Sequence, residues 1–523
     1  MVEQAVRPIV AEIIEQAPEG WTHAVLHARA GRGGTSATGG YVPAANPWTA
    51  RVPAPHQEIM ALGTRLGAER GWERVSLEIR CRPSGEWRLV AFHDAVTYET
   101  GSGGAFQVVL DADHRLAQPG LRQEAGTAAP AGDPEVAVAR FHTYLERRAA
   151  ILGRRDQLPA PATPAAIEEA ERRLGRRLPA DLRALYLIAD GDCVDYGSRG
   201  LFRGNSWLSL AELVAEYGEW GASERPWYGW DLEWDSVVFD AAPGDTVRRC
   251  GGHPGWLRFG SSEDGNYLAV DTDPARSGRP GQVIRTGRDY DDGPVYVADS
   301  VTSLLGHYLE LLDQGAYERH GDHISLRAPA RDTGPRQIVG AIPDEVPPTL
   351  QAIHINDAPG LVDLAPLTAA AHLRLLHLNR SATADLTPVR QLPVESLRVT
   401  LPDGDLTALT GHPHLASLDL TTTVPVDAGR LRTVPRLHGL DLSRANVPDP
   451  APLADLAELR YLSLTGSQWA ALLDGHKAPP ALAAAALAGK DAGFDDALAW
   501  AARLGLDTGD ALRVTGTFKS AGA

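Results

Sequence analysis

Two histidines occupy matching positions in neighbouring copies of a short leucine-containing pattern. His354 lies in LQAIHI and His377 in LRLLHL, and imidazole is a common zinc ligand. No third ligand of suitable type adjoins them. Cys250 and His253 have half of a zinc-type spacing without a second half, which favours a loop with a buried thiol. We therefore expect no metal and no cofactor.

Acidic residues accumulate in the turns of the strand-rich segment between residues 257 and 292. Among them Asp264, Asp271 and Asp273 do not match the DxDxDG spacing of a calcium loop. Aspartate is frequent in turns because its carboxylate accepts hydrogen bonds from nearby backbone N–H groups. An acidic surface could instead mimic phosphates and fill a basic cleft of a protein partner. A metal-dependent hydrolase that uses these acids is a third interpretation, and the sequence leaves all three open.

Motifs for nucleophilic or zinc-protease chemistry are missing from the sequence. It contains no GxSxG and no HExxH, and no cysteine and histidine share a plausible local frame. We therefore predict a protein that is not an enzyme.

A leucine-containing pattern recurs from residue 350 onward. Copies begin at residues 350, 373, 394, 415, 437 and 459, so they are 21 to 23 residues apart, within the range of leucine-rich repeats. A single repeat cannot bury its leucines alone, which predicts an α/β solenoid of stacked repeats over 340–470. Residues 478–508 are predicted to form a helical C-terminal cap, followed by a poorly fixed tail.

One position in each repeat strand points away from the predicted core, because side chains alternate along a strand. Repeat arrays usually bind through this face, so we predict a protein-binding surface there, against the simpler alternative of a solvated face. Its predicted contact residues are His354, His377, Arg398, Asp419, Asp441 and, from the flanking position, Tyr461.

The central region, residues 160–320, predicts a compact α+β domain. Thr163 and Ser300 are good N-caps for helices with apolar stripes. Residues 257–259, 267–271 and 281–285 predict an antiparallel meander. The tryptophans between 207 and 256 predict core and loop packing more than a ligand cage.

These central elements resemble a known family. LGRRLPADLRALYLIADG, FGSSEDGNYLAVDTD, GQVIRTGRD and VADSVTSLL together are similar to the SUKH superfamily, the Smi/Knr-type domains. The resemblance implies a protein-binding fold without a catalytic centre. In bacteria the family is best known for immunity proteins that neutralise toxin domains, so a toxin or effector domain is the partner that it implies.

Residues 1–125 predict a separate N-terminal α+β domain with an amphipathic first helix, and 126–159 a helical linker. The strands WTHAVLHARA and WRLVAF give this unit a weaker resemblance to YezG-like immunity domains. The predicted fold class is therefore multidomain α+β.

Composition limits the partners and the compartment. The net charge of −17 argues against nucleic acid, and no apolar run is long enough to span a bilayer. Three cysteines far apart predict no disulfide framework and a cytoplasmic location.

Two non-enzymatic functions fit these features. The first is an intracellular protein-binding protein, in its narrower form an immunity factor whose central domain masks a toxin. The second is a signalling or assembly scaffold that recruits partners through the repeats. The sequence does not indicate the partner, the oligomeric state or the orientation of the domains.

Overall fold

The chain forms a multidomain α+β protein with antiparallel sheets in its N-terminal and central parts. The computed structural model describes residues 2–31, 34–42, 51–100, 104–116, 118–192, 200–218, 234–262, 264–290, 292–321, 323–327, 336–489 and 492–518.

The N-terminal sheet is covered on one face by helices. Helix α1 is Val2–Glu15, and the following strands β1 and β2 are His23–Gly31 and Gly34–Val42. Helix α2, His56–Arg70, precedes strands β3 and β4, Arg74–Cys81 and Glu86–His93. Alternate residues of β1 are buried because they face α2, as the period of two in a strand requires. Strands β5 (Val96–Glu99) and β6 (Ala105–Val109) pair with each other and leave this sheet.

The central domain combines helices with an antiparallel sheet. Its elements in chain order are α3 Pro134–Leu152, α4 Pro164–Leu174, α5 Ala180–Tyr186, β7 Ser206–Trp207, α6 Leu210–Glu216, β8 Trp256–Ser261, β9 Asn266–Asp271, β10 Gln282–Gly287, β11 Val295–Ala298, α7 Val301–Asp313, β12 Tyr317–His320 and β13 His323–Leu326. The sheet order β11-β10-β9-β8-β7 contains the predicted meander. Thr163 and Ser300 accept hydrogen bonds from backbone N–H groups in the first turns of α4 and α7, so both predicted caps are present.

Helix α3 is part of the central domain rather than a linker. Its Ala137, Phe141 and Tyr144 are at most 1% exposed and lie in the same core as α5 and α7. The prediction of a tether over 126–159 is therefore wrong for this helix, because an apolar stripe of this size is stabilised by burial.

A third sheet carries the repeats, and we call its residues 337–488 the repeating sheet. Its strands are β14 Gln337–Val339, β15 Ala352–Asn356, β16 Leu375–Ala382, β17 Ser396–Thr400, β18 Ser417–Pro425, β19 Gly439–Asn446, β20 Tyr461–Thr465 and β21 Ala484–Ala488. They run parallel, and short 3-10 helices connect the strands from β15 to β20. Leu376, Leu397, Leu418, Leu440 and Leu462 are at most 1% exposed, so these leucines form the inner side of the sheet.

The predicted helical cap over 478–508 is wrong for its first half. Residues 484–488 are strand β21, although alanine favours helix. Strand β20 on one side and β6 on the other both pair with this segment, and these tertiary hydrogen bonds override the local propensity. Helix α8, Gly466–Gly475, precedes it, and helix α9, Phe494–Arg503, lies within the predicted range.

The N-terminal domain is not a separate unit. Strand β6 extends the repeating sheet through β21, and the last strand β22, Leu512–Thr517, extends the N-terminal sheet through β4. Phe106 of β6 packs against Phe494 of α9, with the two ring centroids 5.6 Å apart. Buried residues of the N-terminal sheet and of the repeats therefore form one continuous core.

Residues 512–517 are a paired strand, so the predicted loose tail after residue 508 is wrong for this stretch. We expect a chain that ends at residue 508 to lose about 2–3 kcal/mol of unfolding free energy, because Leu512, Val514 and Phe518 each pack partly against the core at roughly 1 kcal/mol. Urea denaturation of both chains measures the difference. Equal denaturation midpoints of the two chains would show that β22 does not contribute to the stability of the fold.

Candidate interaction surface

The repeating sheet aligns the side chains that the sequence predicts as a binding surface. Strand register places His354 beside His377, His377 beside Arg398, Arg398 beside Asp419, and Asp419 beside Asp441. The next residue in this row is Ser463, and Tyr461 lies two residues before it in the same strand. The row exists as expected, but its role in binding stays a prediction.

Most of this row is covered rather than exposed, and only His354 and Arg398 of the row are half-buried. His377, Asp419, Asp441, Tyr461 and Ser463 are all at most 9% exposed. The cover is residues 234–240 of the central domain, which we call the covering segment. The expectation of an open outward face is therefore wrong, because another part of the same chain occupies it.

Aromatic and apolar side chains hold the covering segment at both ends. Trp234 stacks on Tyr461 with ring centroids 4.8 Å apart and planes 12° apart. At the other end Val237 and Phe239 pack with Ala352 and Leu375 in a small apolar cluster. Such aromatic packing adds about 0.5–1.5 kcal/mol beyond the area that it buries.

Between these ends lies a cluster of buried charges. Asp235 accepts a 3.1 Å hydrogen bond from Arg398, which also contacts Asp419 at 2.9 Å. Arg444 donates to both oxygens of Asp419, at 2.5 and 2.6 Å. Burial raises the pKa of Asp235 and, together with the charge of Asp419, that of Asp441. The covering segment thus completes an ionic network that begins on the repeating sheet.

Ion pairs also fasten the edge of the interface. Arg249 of the central domain donates to both oxygens of Glu395, at 2.9 and 2.7 Å, and Arg374 donates to the same carboxylate at 3.0 Å. The side chain of Gln351 bonds the backbone N–H and C=O of Asp240. In these ion pairs both the arginine and the carboxylate are buried, and their hydrogen bonds have a defined geometry. They therefore fix the position of the central domain on the repeating sheet.

The two histidines of the row contact each other and other side chains of the protein. Their rings lie edge to face with centroids 5.3 Å apart. Burial, Arg398 and His354 lower the pKa of His377 to about 3, and its Nε2 hydrogen-bonds the Ser396 hydroxyl at 2.8 Å. Among the residues that the structure describes, no group of three or more His, Cys, Asp or Glu is placed to hold a metal ion.

The three acids of the central meander do not share one surface. Asp264 is exposed and accepts hydrogen bonds from Ser262 and from the backbone of Asn266, as turn chemistry explains. Asp273 is 37% exposed and pairs with Arg248 at 2.9 Å. Asp271 is fully buried and bonded to Gln282, so it cannot contact a partner.

Asp271 should make the stability of the chain depend on pH. Burial raises the pKa of its carboxyl to about 7, above the ordinary value of 3.8, so the folded state holds its proton more tightly than the unfolded state. The free energy of unfolding is then expected to fall between about pH 4 and pH 7, by on the order of 4 kcal/mol, and to be level with respect to this group above pH 7.

Urea denaturation across this pH range measures the slope. Asp271→Asn should reduce it, whereas Asp289→Asn, a change at an exposed turn, should leave it intact. An unchanged slope in the first variant would contradict the assignment.

Two residues further along the strands, a polar row stays accessible at the border of the covered surface. Asn356 is paired in register with Asn379, and Thr400 with Thr421. Asn356 is exposed and the other three are half-buried. We call these four residues the polar row. The polar row was not predicted from the sequence, although the same period of two along each strand indicates it.

The covering segment was not predicted from the sequence either. Its only sequence signal was the richness in tryptophan between 207 and 256. Trp207 and Trp256 are buried in the central domain as expected, and Trp234 is at the interface. Trp220, Trp227 and Trp230 lie outside the described residues.

The fold and this interface define a class: a multidomain α+β protein in which a helix-and-sheet domain covers the outward face of a parallel repeating sheet. Comparison with known proteins then places the central domain. Residues 161–307 match the model of the SMI1 / KNR4 family (SUKH-1).

Relatives with known names match about a third of this chain. A KNR4/SMI1 homolog of Yarrowia lipolytica is 27% identical over 208 residues, 31% of this chain and 28% of its own length. A glucan synthesis regulatory protein of Neurospora crassa is 28% identical, covering 31% of this chain and 35% of its own. The cell wall biosynthesis/cell cycle regulator smi1 of Schizosaccharomyces pombe is 30% identical, and the match covers 33% of this chain and 35% of the relative's own length. This chain therefore spans about a third of the length of each relative, and two of the three names are those of regulators.

Two solved structures are weakly similar to this chain. An internalin of Listeria monocytogenes is 24% identical with a TM-score of 0.20, covering 24% of this chain and 39% of its own. Internalin C2 of the same species is 23% identical with a TM-score of 0.19, and the match covers 22% of this chain and 52% of the internalin chain. TM-scores this low support no statement about fold or function.

No helix in the described part of the chain has both the length and the apolar character needed to cross a membrane. A cytoplasmic location stays a prediction. So does the YezG-like character of the N-terminal domain.

Proposed function

We propose that this chain is a non-enzymatic, protein-binding regulator whose SUKH-1 domain and repeating sheet act as one recognition unit. The observation that carries the proposal is the interface between them: the covering segment and the Arg249–Glu395 pair fix the SUKH-1 domain on the sheet. In the same proposal the repeating sheet is a leucine-rich repeat array. The repeat spacing of 21 to 23 residues and the row of buried leucines support that assignment.

The partner in this proposal is a protein that contacts the polar row. Asn and Thr side chains offer both donors and acceptors, and they lie beside a rigid interface that costs no further ordering. The relatives' names support a regulatory role. The three relatives are fungal, two of them are named as regulators, and none of the names supports the narrower hypothesis of an immunity factor against a bacterial toxin. Scaffolding through the repeats is compatible with the same surface.

Affinity capture with the full chain from its native lysate tests this function. Thr421→Arg places a long charged side chain in the polar row, and we expect a captured protein to bind at least about 30-fold more weakly, as for loss of an interface hot spot. Thr368→Arg is the matched control, since Thr368 is exposed on a 3-10 helix away from the sheet face. Equal affinity of both variants would exclude the polar row as the binding surface.

The identity of the captured protein separates the two forms of the proposal. A single toxin domain bound one to one would favour the immunity form. A component of a signalling or cell wall assembly would favour the regulatory form. A catalytic activity of the full chain on that protein would contradict both.

A further inference from the structure

The repeating sheet has a place for one indole ring on its outward face. Trp234 of the covering segment stacks there on Tyr461 of β20, and Ala484 and Ala486 of β21 pack in the same cluster. Gly439 of β19 leaves the space for the ring, because a Cβ atom at this position would lie 2.6 Å from Trp234 Cε3. We call Gly439, Tyr461, Ala484 and Ala486 the aromatic slot. Its small residues and its one ring are suited to a flat aromatic side chain.

A guanidinium group lies next to the aromatic slot on the same face. Arg398 donates a 3.1 Å hydrogen bond to Asp235, which follows Trp234 in the chain. The Arg398 side chain is 32% exposed even with the covering segment in place, so solvent reaches it. Arginine binds carboxylates with defined geometry. The face therefore has one feature for an aromatic residue and an adjacent one for an acidic residue.

The covering segment crosses the strands of the sheet as a bound peptide does. Its contacts pass from β20 at Trp234, through β17 at Asp235, to β15 and β16 at Val237 and Phe239. Val237 and Phe239 are buried and Ser236 is exposed, the alternation of an extended chain that turns one side to the sheet. Repeat arrays bind partners across this face. The segment therefore lies where a segment of another protein would bind.

The first half of the covering segment is held by the repeating sheet. The contacts of Trp234 and Asp235 given above come from their side chains. The Trp234 carbonyl oxygen adds a hydrogen bond from His438 Nε2 at 3.2 Å. Each of these contacts is of a kind that a side chain or carbonyl of another protein can make.

The second half of the covering segment is attached to the central domain. Phe239 donates its backbone N–H to the Asp292 carbonyl at 2.6 Å, and Arg249 donates to the Val238 carbonyl at 2.9 Å. The Arg249–Glu395 pair lies outside the aromatic slot. Release of residues 234–237 therefore leaves the central domain in its position on the sheet.

We propose that residues 234–237 are an internal ligand, and that the aromatic slot and Arg398 bind an extended segment of a partner protein in which an aromatic residue is followed by an acidic one. Such a segment replaces Trp234 and Asp235, and it restores both the ring stack and the carboxylate on Arg398. The number of buried charges stays the same, so the exchange leaves no charge without its partner. This surface is distinct from the polar row, and the proposal does not require a partner there.

The internal ligand sets a threshold for the partner. A segment of the same chain competes at a high effective concentration. The apparent affinity of any other segment is reduced by the fraction of molecules whose slot is open. Binding is therefore expected to be weak in the parent chain and tighter in a chain whose slot has been vacated.

A peptide with the sequence of residues 234–237 and blocked ends tests the exchange in an NMR titration. The full chain with Trp234→Ala and Asp235→Ala has a vacated slot, and it should bind this peptide at least about 10-fold more tightly than the parent chain. A peptide with alanine in place of its tryptophan should bind the vacated chain at least about 10-fold more weakly. Replacement of its aspartate by lysine should also weaken binding.

The glycine of the aromatic slot locates the binding. In the vacated chain Gly439→Ala fills the space of the indole and should abolish peptide binding. Gly360→Ala is the matched control, because no described atom other than those of neighbouring residues lies within 4 Å of a Cβ atom there, and it should leave binding unchanged.

A second measurement uses the parent chain and does not depend on the folding of any variant. Excess peptide should raise the hydrogen exchange of residues 235–237, because the internal ligand is released. The exchange of β8 to β10 in the central domain should stay the same.

Four results would overturn the proposal. The first is a vacated chain without saturable binding, or a parent chain whose exchange excess peptide does not change, since Trp234 would then only join two domains. The second is equal affinity of the parent and vacated chains, which would place the peptide elsewhere. The third is binding that persists in Gly439→Ala. The fourth is tighter binding of the lysine peptide, which would mean that the face selects a cationic segment.

Discussion

Replacement of Glu395 by alanine is expected to lower the free energy of unfolding by about 3–5 kcal/mol. Glu395 bonds to Arg249 of the central domain and to Arg374 of the repeating sheet, and the three side chains are at most 14% exposed. Without the carboxylate, two guanidinium groups remain buried beside each other with no opposite charge between them. Arginine cannot lose its proton to relieve this cost.

Urea denaturation measures this effect, and hydrogen exchange shows where it acts. Glu458→Ala is the matched control, because Glu458 is 71% exposed and its 3.6 Å contact with Arg460 is a surface pair that contributes about 0–1 kcal/mol. The covering segment should exchange faster in the Glu395 variant only. A loss below about 1 kcal/mol would show that Arg249 and Arg374 are solvated, and that the central domain is not held in this position.

Phe106→Ala should cost about 3–5 kcal/mol and should destabilise the N-terminal sheet and the repeats together. Phe106 is fully buried and contacts His27 and Tyr98 on one side and Phe494 on the other. The cavity left by its removal therefore lies in the core that both regions share. Calorimetry should show one transition for these regions, shifted to lower temperature.

Phe141→Ala provides the matched control for that experiment. Phe141 is equally buried, but it belongs to the separate core of the central domain. We expect its loss to raise hydrogen exchange in α3, α5 and α7 and to leave β6 and β21 protected. If Phe106→Ala affected the N-terminal sheet alone, the shared core would not act as one cooperative unit.

Local patterns in the sequence were sufficient for much of the fold. The caps at Thr163 and Ser300, the meander over β8 to β10 and the strand positions of the repeats follow from capping chemistry and from apolar periodicity, which depend on neighbours along the chain. The similarity of residues 161–307 to SUKH-1 domains was likewise visible in short motifs. Each of these features follows from short stretches of the chain.

Pairing between distant segments was not visible in the sequence. Residues 484–488 are rich in alanine and favour helix, yet they form a strand because β20 and β6 both offer free backbone groups. Residues 512–517 have no strong pattern, and they are ordered by β4, more than 400 residues earlier. Backbone hydrogen bonds carry no sequence code for their partner, so such pairings depend on the assembled fold.

In the candidate surface, too, one part follows from the sequence and another part depends on the assembled fold. The sequence by itself determined that His354, His377, Arg398, Asp419 and Asp441 lie in one row, because the repeat length fixes the strand register. Only the tertiary structure decided that this row is covered, since the covering segment comes from a domain more than 100 residues away along the chain. Burial is a property of what packs against a face, and alternation along a strand specifies only the direction in which each side chain points.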